Sequence, residues 1–536
     1  QFSVSQFTDV CERLYEKWQA EKDSEGWGQK ADVIAVACDS DSKDVIKFPK
    51  AQSLVTAMFS LELHDILIVF CPKKIIFLAA SKKAKVLQAM ASELPSKFPT
   101  KVEVRVRDKS DKDKANFQYI LEAMKEGRSE TRVGVLLKEK YDGSFAQEWN
   151  NFLSDASGIV KADITNGLTD FLAIKSVKQA EAARHAGSIN TAAFKSCLNK
   201  ILDVVDSNEK FMLTKISEHV EHELPKVIAP LQLPVDMDDV EVVIPPNVQS
   251  GTYDLKYSAL TDESPLNLPD KGVPAIYISS LSLRVKSCFS MVARTLLFNA
   301  KPEQEANYRL LLEVVEKCQS LLKPGTRMNK LYEAASELIK SKKPALLGNL
   351  TKELGWSLGY ELREKRFVFD EKNRSTLKVG MLVCLRIGLE NLTIQSKDPK
   401  HSKYSMLLAD TFLITKDGAE CVTNAHKKHS KISWNVADDD EDEKKTDSKM
   451  TVQAELDRKL KELDKQKLSH KLNEVEKEQA RKDFEERNNQ LALQRVEEQR
   501  RRRYNESTGT DDKRERSQTS GYLGTEDFPS RAWSSK

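Results

Sequence analysis

Leu354–Glu364 reads LGWSLGYELRE. Its core, Gly355-Trp356-Ser357-Leu358-Gly359, matches GxSxG. That pattern can place a serine nucleophile on a strained strand-to-helix turn, with Asp and His partners downstream. Asp410, then His426 or His429, follow in that order. The surroundings argue against it. Residues 344–354 read as helix and loop where the turn needs a strand, and 360–363 do not read as the helix that must follow. The reading that remains is a glycine-rich strand, with Ser357 not a nucleophile.

Outward from this stretch, residues 170 to 435 mix strands and helices. Lys175–Val205 repeats apolar positions at helical spacing through Val177, Ala180, Ala193, Cys197, Ile201 and Val205. Lys210–Glu223 is a second helical run. Strand segments are expected at Val240–Ile244, Val273–Leu283, Met381–Leu389 and Met406–Thr415, with helices at Glu303–Leu322 and Lys330–Ser341. This is an α+β domain. Residues 1 to 165 read as a separate α/β unit. Ala31–Asp39 is a short apolar run. Ile66–Cys71 and Ile75–Ala80, separated by Pro72-Lys73-Lys74, carry a hairpin signal. Val102–Val106 and Arg132–Leu137 are further strands, and Phe7–Trp18, Lys85–Leu94 and Lys112–Lys125 are helical.

At Asp438 the composition changes. Asp438-Asp439-Asp440-Glu441-Asp442-Glu443 is an unbroken acidic run. Residues 436–450 read as an acidic linker and 451–503 as a charged helix with a narrow leucine stripe, solvated or weakly coiled. That helix ends in Arg500-Arg501-Arg502-Arg503, either a nuclear-import signal or a solvated helix end. Residues 504–536 read as disordered tail.

The chain has 536 residues, 40% hydrophobic and 31% charged, with a net charge of +3. That balance is too near neutral to mark a nucleic-acid binder, and no sequence-specific DNA contact is expected. The eight cysteines form no CxxC pair and fit reduced core positions of an intracellular protein. No apolar run reaches the roughly 18 residues that a membrane span needs. The N-terminus has neither an initiator Met nor a signal-peptide pattern, and is expected to be trimmed. GxxxxGK[ST] and GxGxxG are missing, so ATP- or NAD-dependent chemistry is unsupported and no cofactor is expected. Glu218-His219-Val220-Glu221-His222-Glu223 could seed a metal site, but it is not HExxH and has no evident third ligand. The lysines of His426-Lys427-Lys428-His429 would repel a cation. Six adjacent carboxylates at 438–443 repel one another and gain when a basic partner such as a histone neutralises them; a plain spacer is the other reading.

Four segments then carry a resemblance. Arg284–Thr295 (RVKSCFSMVART), Leu354–Glu364, Gly380–Gly388 (GMLVCLRIG) and Leu408–Thr415 (LADTFLIT) are similar, in order and at compatible spacing, to stretches of the creatinase and aminopeptidase P family. Within that group the likeness is nearly continuous with the N-terminal region of the large subunits of the FACT histone chaperone. It includes Glu241–Gly251, Gly134–Leu153, the acidic run and Leu468–Glu478 (LSHKLNEVEKE), and spans about residues 1–485.

The resemblance implies a ribonuclease-H-like N-lobe, a pita-bread C-lobe over 170–435 and a charged helical linker. It also implies what became of the metal site. Active members hold two metal ions with two Asp, one His and two Glu, and so activate a water. By the resemblance those positions fall on Ser280, Met291, Trp356, Arg386 and Ala409, and the substrate-contacting His falls on Arg363. None is a hard-oxygen or imidazole ligand, so no metal and no peptidase activity are expected. Histones or histone tails are the implied partners, and nucleus and chromatin the implied location. The work would be nucleosome reorganisation during transcription, replication and repair; a nuclear adaptor without chaperone activity is the other reading. The FACT large subunits continue into dimerisation and histone-binding middle domains. This sequence is expected to be a fragment or a truncated relative, which leaves pairing with the small FACT subunit in doubt.

Overall fold

The computed structural model describes residues 3–39, 49–139, 143–270, 273–395 and 402–436. The acidic run 438–443, the helix expected at 451–503, Arg500–Arg503 and the tail all lie outside the described residues.

In the N-lobe, α1 (Val4–Ala20) leads to β1 (Val33–Cys38), α2 (Lys50–Phe59), β2 (Ile66–Phe70) and β3 (Lys74–Ala79). Then come α3 (Ser81–Ser92), β4 (Lys101–Val106), α4 (Lys114–Lys125), β5 (Thr131–Val135), α5 (Ser144–Asp155), β6 (Ile159–Asp163) and α6 (Thr165–Leu172). Phe7, Val10, Cys11, Leu14 and Trp18 make the buried stripe of α1, spaced as one face of a helix requires. The six strands form one sheet in the order β4-β3-β2-β1-β5-β6. β2 and β3 pair antiparallel across the predicted hairpin. β1 and β5 run parallel, as do β3 and β4 and β5 and β6. Both faces are covered, which is what parallel pairs require. One face packs on α1, α2 and α6 through Phe7, Leu54, Phe77 and Phe171. The other packs on α4 and α5 through Phe117 and Trp149.

The C-lobe begins with α7 (Val177–Ser207) and α8 (Leu213–Ile228). The start of α7 is fixed by a capping box in which Ser176 and Gln179 satisfy each other's backbone N–H groups. Three long strands follow, β7 (Val240–Ser250), β8 (Ala275–Val285) and β9 (Cys288–Phe298). After α9 (Pro302–Ser320) and α10 (Asn329–Lys342) come β10 (Gly355–Leu358), β11 (Glu364–Val368), β12 (Leu382–Thr393), β13 (Lys403–Thr415), β14 (Gly418–Cys421) and β15 (Ser433–Trp434). The sheet runs β11-β10-β12-β13-β9-β8-β7, with β14 on β13 and β15 on β9. β7 continues past its predicted end through Pro245 and Pro246. It can do so because it is an edge strand and its register shifts beside the prolines.

The helices cover one face of this sheet. Leu281, Val292, Leu385, Leu408 and Phe412 pack there with Ile216, Leu311 and Leu331 from α8, α9 and α10. The opposite face carries Ile278, Met291, Ala293, Trp356, Cys384 and Ala409. Because side chains alternate along a strand, each strand sends every second residue to that second face. All eight cysteines are free thiols, and Cys421 alone among them is less than fully buried. Among the described residues, no helix is long and apolar enough to cross a membrane.

Candidate functional site

The GxSxG stretch is a strand. Gly355 opens β10 with φ +138°, and a Cβ there would meet the carbonyl oxygen of Cys384 on β12 at 2.0 Å. The glycine serves a close strand approach, not a nucleophile turn. Ser357 is fully buried, and its hydroxyl faces the carbonyls of Leu358 and Leu382. Asp410 is taken by Arg294, with Nη2 to Oδ1 at 2.7 Å, and His426 offers Arg294 its backbone carbonyl. No serine triad forms. Glu218–Glu223 lies within α8, where His222 is solvent-exposed.

The five positions matched to metal ligands lie on one face of the large sheet. Register shows it. Ser280 pairs with Ala293, Ala293 with Ala409, and Ala409 with Arg386, a single row across β8, β9, β13 and β12. Met291 stands two residues from Ala293 on β9. Trp356 pairs with Cys384, two residues from Arg386 on β12. Within that face the five differ. Met291, Trp356 and Ala409 are buried in one apolar cluster. Ser280 is half-buried, three strands from Arg386 or ~14 Å along the sheet at ordinary strand spacing.

Trp356 and Arg386 border a cavity of about 490 Å³, together with Tyr257, Lys352, Glu353 and Arg363. Arg363, which the resemblance matches to the substrate-contacting histidine, shares the cavity with Trp356 and Arg386. Its guanidinium forks onto Glu353, with Nη2–Oε1 2.6 Å and Nε–Oε2 3.2 Å. The Arg363 Cζ lies 5.8 Å from the ring centres of both Tyr257 and Trp356, within cation–π range. Trp356 is held by its own Nε1–H, which donates to the carbonyl of Leu362 at 2.8 Å. Arg386 is only 6% exposed. Its Nη1 donates to the Leu255 carbonyl at 2.6 Å, its Nε finds no acceptor, and its Cζ lies 5.9 Å from the Trp356 ring centre. Burial lowers its pKa to about 10; a guanidinium still carries its charge at neutral pH.

No sequence pattern marks Tyr257, Lys352 or Glu353. They sit in loops before β8 and β10, where no periodicity marks them; adjacency in sequence to Trp356 was the one available signal for the last two.

These side chains do not fit a pair of divalent metal ions. Metal ligands of this class are oxygen or imidazole donors that are deprotonated when bound. Here three of the matched positions hold an indole, a thioether and a methyl group, and a fourth holds a fixed positive charge. Among the described residues, no three His, Cys, Asp or Glu side chains group so as to hold a metal ion.

Fold and site thus define a protein of the pita-bread peptidase class whose central face carries apolar and cationic side chains. The comparisons agree on the class: residues 181–416 match metallopeptidase family M24. X-Pro aminopeptidase from Thermotoga maritima shares the fold at TM-score 0.55 over 76% of this chain and 98% of its own, with 13% identity. They also give the family. Residues 2–167 match the FACT complex subunit SPT16 N-terminal lobe domain. FACT complex subunit SPT16 of Dictyostelium discoideum is 32% identical over 81% of this chain and 40% of its own length. That of Arabidopsis thaliana is 28% identical over 98% of this chain and 49% of its own. The N-terminal domain of SPT16 from chickpea superposes with TM-score 0.73 and 27% identity, over 81% of this chain and all of the other. The chain belongs with the SPT16 subunits of the FACT complex, whose N-terminal, peptidase-like region it carries. It spans less than half the length of those two curated relatives.

Proposed function

We propose that this chain is a histone-binding, chaperone-type module of a FACT-like complex, acting on chromatin in the nucleus during transcription, replication and repair, and that it is not a peptidase. What carries the reading is the succession of an SPT16 N-lobe and an M24 lobe in one chain, aligned with relatives named as FACT subunits. The non-enzymatic part rests on the replaced donor set. The expected outcome is no hydrolysis of proline-containing peptides with or without added manganese, cobalt or zinc. Metal-dependent turnover that survives repurification would sink it.

The acidic run is the part of the chain suited to a basic partner. Its attraction to histones is long-range and screened over about 8 Å at physiological salt. Binding to core histones is expected to be micromolar or weaker, and to fall steeply between roughly 0.1 and 0.5 M salt as the screening length shortens. Replacing Asp438–Glu443 by Ser and Asn should weaken binding and flatten the salt dependence. A titration with equal affinities and equal slopes would make the run a spacer. Absence of any histone binding would favour the adaptor reading. Contact with the small FACT subunit belongs to the same proposal and is answered by co-purification with this chain.

A further inference from the structure

Arg294 and Arg386 are two buried arginines on opposite faces of one sheet, and they differ in one respect. Arg294 has a carboxylate and four carbonyls around it. Arg386 has one carbonyl. Its buried Nε has no hydrogen-bond partner, and no carboxylate lies within ion-pair distance among the described residues. A buried charge without a counter-ion is costly, and native structures rarely leave one so. What Arg386 does have beside it is the cavity.

The cavity's other walls point the same way. Lys256, Lys352, Arg363 and Arg386 face Glu353 and Glu390, four positive groups against two negative ones. Glu353 is already engaged by Arg363. Tyr257 and Trp356 stand edge to face, ring centres 5.5 Å apart, and give the cavity an aromatic wall. A planar guanidinium with free donors beside an aromatic surface suits a planar carboxylate on a peptide, which can accept two parallel N–H bonds and lay its chain along the rings. A lysine or arginine side chain would instead meet net positive charge.

We propose that this cavity binds a carboxylate of an acidic peptide segment, with Arg386 and Arg363 as the cationic residues that hold it. The proposal does not rest on the histone reading: a basic histone tail is the ligand this cavity rejects. It also separates the roles of the two charged features, the acidic run meeting basic partners and the cavity meeting acidic ones.

The test uses the full chain carrying Ser and Asn at positions 438–443, so that its own carboxylates do not compete. The probe is a synthetic peptide of sequence DDDEDE, followed by tryptophan fluorescence and calorimetry. Binding is expected, with a loss of tenfold or more in Arg386→Met. Arg363→Met should also weaken it, while a lysine hexapeptide should not bind. Because Met removes an unpaired buried charge, Arg386→Met should melt no lower than its parent. The peptide should raise the melting temperature of the parent and leave that variant unmoved. The proposal is overturned if Arg386→Met binds DDDEDE as its parent does, or if the lysine peptide binds as well. It is also overturned if inorganic phosphate alone binds as tightly as the peptide, which would make the cavity a free-anion site. Should Arg386→Met misfold, Arg386→Lys keeps the charge but loses the fork, and the same tenfold loss is expected there; equal affinity would again overturn the proposal.

Discussion

Replacement of Arg294 by Met is expected to destabilise the C-lobe by about 3–5 kcal/mol, the range for removing one partner of a buried ion pair. Arg294 is completely buried and uses every N–H it has. Nε donates to His426 O, Nη1 to Ala293 O and Ala409 O, and Nη2 to Asp410 Oδ1 and Ala425 O. The residue thereby ties β9 to β13 and to the segment that follows β14. Met fills similar volume but leaves four carbonyls to find other donors. Asp410, 3% exposed, keeps, among the described residues, Lys427 at 2.8 Å and Thr423 at 3.0 Å. Asp410→Asn should cost less, because the amide oxygen can still accept from the guanidinium, although the cation loses its counter-charge. Urea denaturation of both variants measures this. A loss below about 1 kcal/mol for Arg294→Met would mean that the pair's desolvation cost cancels its attraction. The comparison with Arg386 is informative, since the same substitution there is expected to cost nothing.

Which parts of this fold were legible follows from how each element meets solvent. α1 and α7 announce themselves because one face is buried and the other wet, which writes a helical period into the sequence. α2 (KAQSLVTAMF) is buried at every position from Ala51 to Phe59, so it has no stripe to mark it as a helix. β9 is missed for the same reason. All eleven of its residues are buried, between the helical layer and the apolar face, so no alternation shows. α5 carries a stripe of Phe145, Ala146, Trp149 and Leu153 that periodicity could have found. The site divides likewise. Trp356, Arg363 and Arg386 were reached through the family resemblance, position by position. That Arg386 is buried with a single carbonyl acceptor and no carboxylate beside it is a three-dimensional fact: the acceptor is Leu255, more than a hundred residues away, and no spacing rule contains it.

The second large effect is expected where the lobes meet. Lys50, the first residue of α2, reaches across to Glu361 and Glu364 of the C-lobe, and Nζ contacts both carboxylates. Its side chain is 11% exposed, and those of the two glutamates 16% and 2%. Lys50→Met would leave Glu364, and Glu361 wherever it is ionised, buried without their cation, at a cost of about 3–5 kcal/mol once both are charged. Acid should relieve part of that cost, because protonation removes the uncompensated charge. The wild-type cluster already shows the tension. Burial, and then the charge of Glu364, push the Glu361 carboxyl up to about 8, against the pull of Lys50. A folded pKa above the unfolded value near 4.5 means that the folded state holds a proton which the unfolded chain releases. This contribution to stability is therefore complete below about pH 4.5 and is lost as pH rises to about 8. Glu361→Gln cannot titrate, so its stability should fall less than the wild type's across that window. Urea midpoints at several pH values between 5 and 8 would show the two curves converging towards the acid end. Parallel curves would mean that Lys50 holds Glu361 ionised throughout, and that it has no proton to lose.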